Sequence, residues 1–253
     1  MRFCSIGSGS KGNGTLVQHE DTCVLIDTGF TLKDVEFRLA QKGLTPLNLT
    51  AILVTHEHSD HIKGVGPLAR KYKIPVYCSH GTSQYDGLGS IPSLVIIDSH
   101  EEFEIGSLTI TPVVVPHDAR EPTQFVVHDP NRKKLGILTD LGSLTSYICK
   151  VYDNCHGLML ETNHDVQMLR MGSYPPSLKA RVEGSLGHLN NQQATQLLNN
   201  INCDNLQFLV ATHISEKNNN VAVALDAISN GFHWKKDSVL LATQENGFPW
   251  CEL

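Results

Sequence analysis

The chain has 253 residues, 40% of them hydrophobic and 18% charged, with a formal net charge of −6. That composition suits a globular fold with a substantial core and excludes a largely disordered chain. The acidic balance argues against coating nucleic acid non-specifically, which needs Lys and Arg against phosphates, but leaves room for a local basic patch.

In chain order, strands are expected at residues 2–6, 16–18 and 23–27. A helix is expected over 31–41, with Leu32, Val35 and Leu39 on one face and Gly43 just past its end. Residues 51–55 read as a buried strand, followed by a helix-like stretch at 62–70. Further strands are expected at 74–78, 94–97, 108–115, 124–128 and 134–139. A helix is expected at 143–151, a strand at 157–161 and a helix at 191–200 with Ala194, Leu197 and Leu198 inward. A strand at 206–212, a helix at 216–230 and a strand at 239–241 complete the pattern. No repeat or linker divides the chain, so one domain over residues 1–253 is expected. The strands neither alternate one-to-one with helices nor dominate. That mixture fits an α+β fold of two mixed sheets packed face to face with helices outside.

The seven cysteines (Cys4, Cys23, Cys78, Cys149, Cys155, Cys203 and Cys251) form no CxxC pair. Cys23, Cys78 and Cys203 read as small buried hydrophobes. No disulfide framework is implied, so a reducing compartment is expected. The first ten residues lack the apolar segment of a signal peptide, and no apolar run is long enough to span a bilayer. A cytoplasmic location with no membrane partner is the expectation.

The strongest chemical signal is Thr55-His56-Glu57-His58-Ser59-Asp60-His61, directly after the apolar run Ala51-Ile52-Leu53-Val54. Three imidazoles and a carboxylate so close together are costly to bury unpaired, and their spacing suits two metal ions better than one. Imidazole favours zinc and its neighbours, and carboxylate widens the choice to manganese or iron. Three later strand ends carry further candidates: His117 after Val113-Val114-Val115-Pro116, Asp140 after Gly136-Ile137-Leu138-Thr139, and His213 after Leu209-Val210-Ala211-Thr212. Each alone suits a cap or a solvated turn; together they suit a metal centre.

The HxHxDH run with His117, Asp140 and His213, and the segment Leu25-Ile26-Asp27-Thr28-Gly29, resembles the metallo-β-lactamase superfamily, over essentially the whole chain. Within it, Gly7-Ser8-Gly9-Ser10-Lys11-Gly12-Asn13-Gly14 and Leu160-Glu161-Thr162-Asn163-His164-Asp165 look most like the small YycJ/WalJ-type nuclease-like proteins. Gly187-His188-Leu189-Asn190-Asn191-Gln192-Gln193-Ala194 resembles a stretch of the ribonuclease Z group. The resemblance implies a four-layer αββα sandwich and two divalent ions (Zn or Mn, with Fe possible). It implies that His56, His58 and His117 hold one ion, that Asp60, His61 and His213 hold the other, and that Asp140 bridges them. Asp27 would brace the His56–His61 loop from behind.

Two metal ions generate a nucleophile from water at neutral pH and clamp phosphodiester oxygens. Asp60 and His188 are the expected catalytic residues, with His188 as proton donor to the leaving group; a plain helix cap is the alternative for His188. Glu161 and His164 are expected to orient His188 or the metal surroundings, or else to serve as buried hydrogen-bonding groups. His19, His80, His100, His128, His156 and His233 are read as structural or surface residues. Arg170, Lys179 and Arg181 make residues 170–181 locally basic. This stretch reads as a loop stiffened by two prolines, either gripping phosphate or simply solvated, with Tyr174 available for stacking on a base. The Gly/Ser-rich residues 7–14 lack the P-loop pattern, yet Ser10 and Asn13 are placed there to contact a phosphate. The resemblance implies DNA exonuclease action, 5′→3′, with DNA favoured over RNA as the nucleic acid partner. Hydrolysis of a small thioester, lactone or cyclic phosphodiester is the competing enzymatic reading, and a metal-stabilised binding module the non-enzymatic one.

Overall fold

The computed structural model describes residues 1–232, 234–235 and 238–253; His233 lies outside the described residues. The chain opens with β1 (Arg2–Gly7), β2 (Gly14–His19) and β3 (Thr22–Ile26), an antiparallel meander. Three short strands then join in parallel: β4 (Ala51–Leu53), β5 (Val76–Cys78) and β6 (Leu94–Ile96). A second sheet repeats this plan. β7 (Phe103–Ile105), β8 (Leu108–Val114), β9 (Thr123–His128) and β10 (Lys134–Leu138) are antiparallel. β11 (Gly157–Glu161), β12 (Phe208–Thr212) and β13 (Val239–Leu241) follow in parallel. β14 (Phe248–Glu252) returns to pair with β1 and closes the first sheet. Each sheet has seven strands, ordered β14-β1-β2-β3-β4-β5-β6 and β13-β12-β11-β10-β9-β8-β7.

The helices are α1 (Leu32–Gln41), α2 (Ser59–Ile62), α3 (Val65–Tyr72), α4 (His80–Ser83) and α5 (Ser146–Tyr152). After β11 come α6 (Val166–Met171), α7 (Pro176–Glu183), α8 (Asn191–Asn200) and α9 (Val221–Phe232). Local chemistry sets several of their ends. Thr31, Thr145 and Asp165 cap α1, α5 and α6 by accepting from backbone N–H groups three residues on. Asn190 and Gln193 form a reciprocal capping box at α8. Gly43, with φ of 75°, follows the end of α1 in the left-handed conformation that glycine adopts without strain.

Strand alternation builds the layers. Leu135 and Ile137 of β10, Met159 of β11 and Val210 of β12 join the core that also takes Phe3, Leu16, Leu25 and Ile52 from the first sheet. Their neighbours Leu138, Leu158, Leu160, Leu209 and Ala211 point the other way, into a second core with Ile148 of α5, Leu197 and Leu198 of α8 and Ile228 of α9. Both faces of the second sheet are therefore covered, as its parallel half requires. The α+β sandwich expected from the sequence is the one observed.

Several expectations need correction. Residues 170–181 are not a loop, because Arg170 lies in the last turn of α6 and Pro176 opens α7. Proline fits that first helical position because its missing N–H has no partner there anyway. Cys203 is half-buried, whereas Cys23 and Cys78 are buried, and all seven cysteines are free. Among the described residues, no helix is long and apolar enough to cross a membrane.

Candidate metal centre

The candidate ligands converge at one rim of the sandwich, where the strands end. β4 runs into the 55–61 loop, β8 leads to His117, β10 to Asp140 and β12 to His213. Asp27, Asp140 and His213 all sit in the left-handed region, with φ of 60°, 53° and 51°. Asp and His tolerate this region better than most residues, and it turns the chain sharply at the strand end. A Cβ on Gly29 would overlap the Asp60 backbone, so this glycine lets the two loops meet.

Among the described residues four overlapping groups of donor atoms form, each within 4.8 Å: His56, His58 and His117; Asp60, His61 and His213; His56, His61 and Asp140; and Asp140, Glu161, His188 and His213. The first two are the triads expected from the sequence. In the first, His58 Nδ1 lies 3.0 Å from His56 Nε2 and 3.2 Å from His117 Nε2. In the second, Asp60 Oδ2 lies 3.5 Å from His61 Nε2 and 3.6 Å from His213 Nε2. Asp140 stands between the triads, its Oδ2 3.1 Å from His61 Nε2.

The opposite ring nitrogens are fixed from behind, which selects the tautomer that bares the inward atom. Asp27 accepts from Thr55 N–H at 2.8 Å, from Thr55 Oγ1 at 2.7 Å and from His61 Nδ1 at 2.8 Å. Thr55 Oγ1, having donated to Asp27, accepts from His56 Nδ1 at 3.0 Å. His117 Nδ1 donates to the Gly187 carbonyl at 3.0 Å. Glu161 faces His213 Nδ1 at 3.0 Å and His188 Nδ1 at 2.8 Å, while its Oε2 accepts from Leu189 N–H at 2.9 Å. His56 Nε2 and His117 Nε2 thus both turn inward to face His58 Nδ1. Asp140 Oδ2 and His213 Nε2 are buried without a hydrogen-bond partner. Such orphaned, convergent donors fit divalent cations.

Electrostatics agrees. Burial, helped by neighbouring histidines, pushes His56 below the usual range, which favours the neutral ring, the form able to bind a metal. Burial would lower His213 too, but Asp140, Asp60 and Glu161 outweigh it and raise its pKa to about 10. His61 is likewise raised, burial yielding to Asp140, Asp60 and Asp27. Burial would raise Asp60 and Asp140, but His61 and His213 hold both well below the carboxylate range. The carboxylates that raise His61 and His213 would equally favour a divalent cation.

Residues 22–214 match the family described as the Beta-lactamase superfamily domain. The exodeoxyribonuclease YycJ of Bacillus anthracis is 36% identical over 233 residues, covering 90% of this chain and 88% of that protein. The chain belongs to the metallo-β-lactamase superfamily. The exodeoxyribonuclease WalJ of Streptococcus pneumoniae is 34% identical, covering 87% of this chain and 83% of that protein. Among solved structures, the metallo-β-lactamase fold protein YhfI from Bacillus subtilis superposes with a TM-score of 0.76 at 18% identity, covering 99% of both chains. That likeness extends the metallo-β-lactamase fold to the whole chain.

Against this metallo-β-lactamase rim, the remaining sequence candidates separate. His188, Ser10, Tyr174 and Arg181 line a cavity of about 310 Å³ that opens over Asp60, Asp140 and His213. Asn13 is not among its lining residues. It is buried behind Asp60, donating to the Asp60 carbonyl and carboxylate at 3.3 Å. Arg170 of α6 pairs with Glu183 of α7, and Lys179 of α7 donates to the Arg170 carbonyl at 2.7 Å, so both side chains tie one helix to the other. His164 is fully buried with neither ring nitrogen partnered, and burial pushes its pKa down to about 4. Sequence reasoning passed over Thr55, which ties Asp27 to His56, although its place beside the histidine run pointed to it. It also passed over Asp118, whose Oδ1 lies 3.6 Å from His117 Nε2 and 3.8 Å from His58 Nε2.

Proposed function

We propose that this metallo-β-lactamase-fold hydrolase is a dinuclear phosphodiesterase acting on DNA as a 5′→3′ exonuclease, with residues 1–253 forming one cytoplasmic domain. The similarity to an exodeoxyribonuclease over 90% of the chain carries this reading. In it, His56, His58 and His117 would hold one divalent ion, Asp60, His61 and His213 the second, with Asp140 available to either. The all-nitrogen-and-oxygen donor set suits zinc or manganese, with iron also compatible. Metal held there would supply a lowered pKa for water and stabilisation of charge on the phosphoryl oxygens.

The protein's own part centres on His188. Glu161 holds its Nδ1, leaving Nε2 as the nitrogen free toward the cavity. Burial would lower its pKa, but Glu161 and Asp140 outweigh that and raise it. That direction favours the protonated ring, and the position over the cavity suits a general acid that protonates the departing oxygen of the cleaved strand. Glu161 also orients His213, so one buried carboxylate sets the geometry of both the acid and a ligand.

The test uses protein with its metal content measured, incubated with 5′- and 3′-end-labelled DNA, RNA, a cyclic phosphodiester and a glutathione thioester. Stepwise release of the 5′ label, abolished by chelation, is expected. Turnover of only the thioester or the cyclic compound would overturn the nuclease assignment. His188→Ala should lower turnover by about 10²–10⁴-fold with bound metal unchanged, the scale of a lost general acid. Equal loss of metal would make His188 a ligand instead.

A further inference from the structure

We propose that Arg181 is the substrate-phosphate anchor of this site, and that Asp118 is its resting partner, displaced when the phosphate binds. The inference rests on the nuclease reading above and adds a specificity device to it.

Arg181 Nε donates to Asp118 Oδ2 across the mouth of the cavity, and both residues line it. Asp118 is held in place by its own backbone N–H, which donates to the Leu186 carbonyl at 3.0 Å. Its other oxygen, Oδ1, lies 3.6 Å from His117 Nε2. A carboxylate there repels a phosphodiester approaching the first triad. Paired with a guanidinium, that repulsion is cancelled, and the same guanidinium is the natural bidentate ligand for a phosphate.

The helix carrying Arg181 is suited to such an exchange. α7 buries no side chain. Its side-chain ties include Arg181 to Asp118, Arg170 of α6 to Glu183, and Lys179 to the Arg170 carbonyl, and its Val182 carbonyl accepts from His188 N–H at 3.0 Å. Arg181 is 56% exposed in its side chain against 29% for Asp118, so the arginine is the more solvated partner and the freer to turn. Ion pairs this exposed contribute little and exchange readily. A DNA phosphate offers Arg181 a full charge and a planar pair of oxygens in place of Asp118. A neutral thioester or lactone offers neither, so the pair stays closed against such substrates.

If Arg181 were only a strut for α7, removing either partner would act alike. Exchange requires opposite effects. Binding of a 5′-fluorescent, phosphorothioate-linked oligonucleotide to the metal-loaded protein should weaken about tenfold or more in Arg181→Gln, the scale of one charge-assisted hydrogen bond. The salt dependence of its affinity should fall by about one phosphate contact. Asp118→Asn should bind more tightly than the unaltered protein, with a lower KM and its metal content retained. The double variant should behave as Arg181→Gln alone. Parallel weakening in both single variants, or loss of metal from Asp118→Asn, overturns the exchange while leaving the nuclease reading standing. Failure of the unaltered protein to bind or cleave DNA overturns both.

Discussion

Three of the residues that shape the rim, Asp27, Asp140 and His213, adopt a backbone conformation that costs of order 1–3 kcal/mol outside glycine. It persists because their side chains are over-determined. Asp27 alone ties Thr55 twice and His61 once. Asp27→Asn keeps a residue that tolerates positive φ, but it replaces one acceptor oxygen with a donor and removes the charge behind His61. Metal affinity should therefore fall by about 10–100-fold, the usual effect of losing such a supporting partner. Competition with a chromophoric chelator reads this directly, and unchanged affinity would mean that His61 is held without Asp27. The seven ligands expected from the sequence, marked by strand-end motifs, come together at one rim, where Glu161 and His188 join them. The bracing by Thr55 and the burial of Asn13 behind Asp60 were not legible in the sequence, since both depend on which way a side chain leaves a left-handed turn.

Among elements, legibility followed the strength of local patterning. The apolar runs that became β4, β8 to β12 and α8 were visible because burial on one or both faces imposes their composition. β7 has only three residues, and β14 carries Pro249. An edge strand admits that proline because it need not donate on its outer side, but the residue masks the strand in the sequence. α7 was hidden for the opposite reason: Pro175 and Pro176 look like a rigid loop yet start a helix. α8 buries Ala194, Thr195, Leu197 and Leu198 under a capping box, whereas α7 buries nothing. Helices without a packed face owe little to tertiary contact and open locally. Hydrogen exchange should therefore be far faster along Pro176–Glu183 than along Asn191–Asn200, and equal protection would show α7 to be held more firmly than its surface ion pairs account for.

For the whole molecule, the metal rim and the two cores are separate assets. Phe3, Leu25, Ile52 and Phe125 pack between the sheets, and Leu158, Leu197 and Ile228 pack outside the second, with no metal ligand among them. A fully buried side chain of this kind contributes about 1.5–3 kcal/mol, so the sandwich does not depend on the cations in the way a zinc finger does. Chelation should then leave the far-ultraviolet circular dichroism spectrum unchanged. It should still lower the melting temperature, because cations bind the folded state alone. With free metal at 100 times Kd, each site adds about 2.7 kcal/mol. For a chain of this size that corresponds to about 5–10 °C per site. Re-adding metal should restore both the melting temperature and hydrolytic activity. Loss of secondary structure on chelation would instead assign the cations a folding role, because the convergent carboxylates and histidines of the rim would then be too strained to stay together without them.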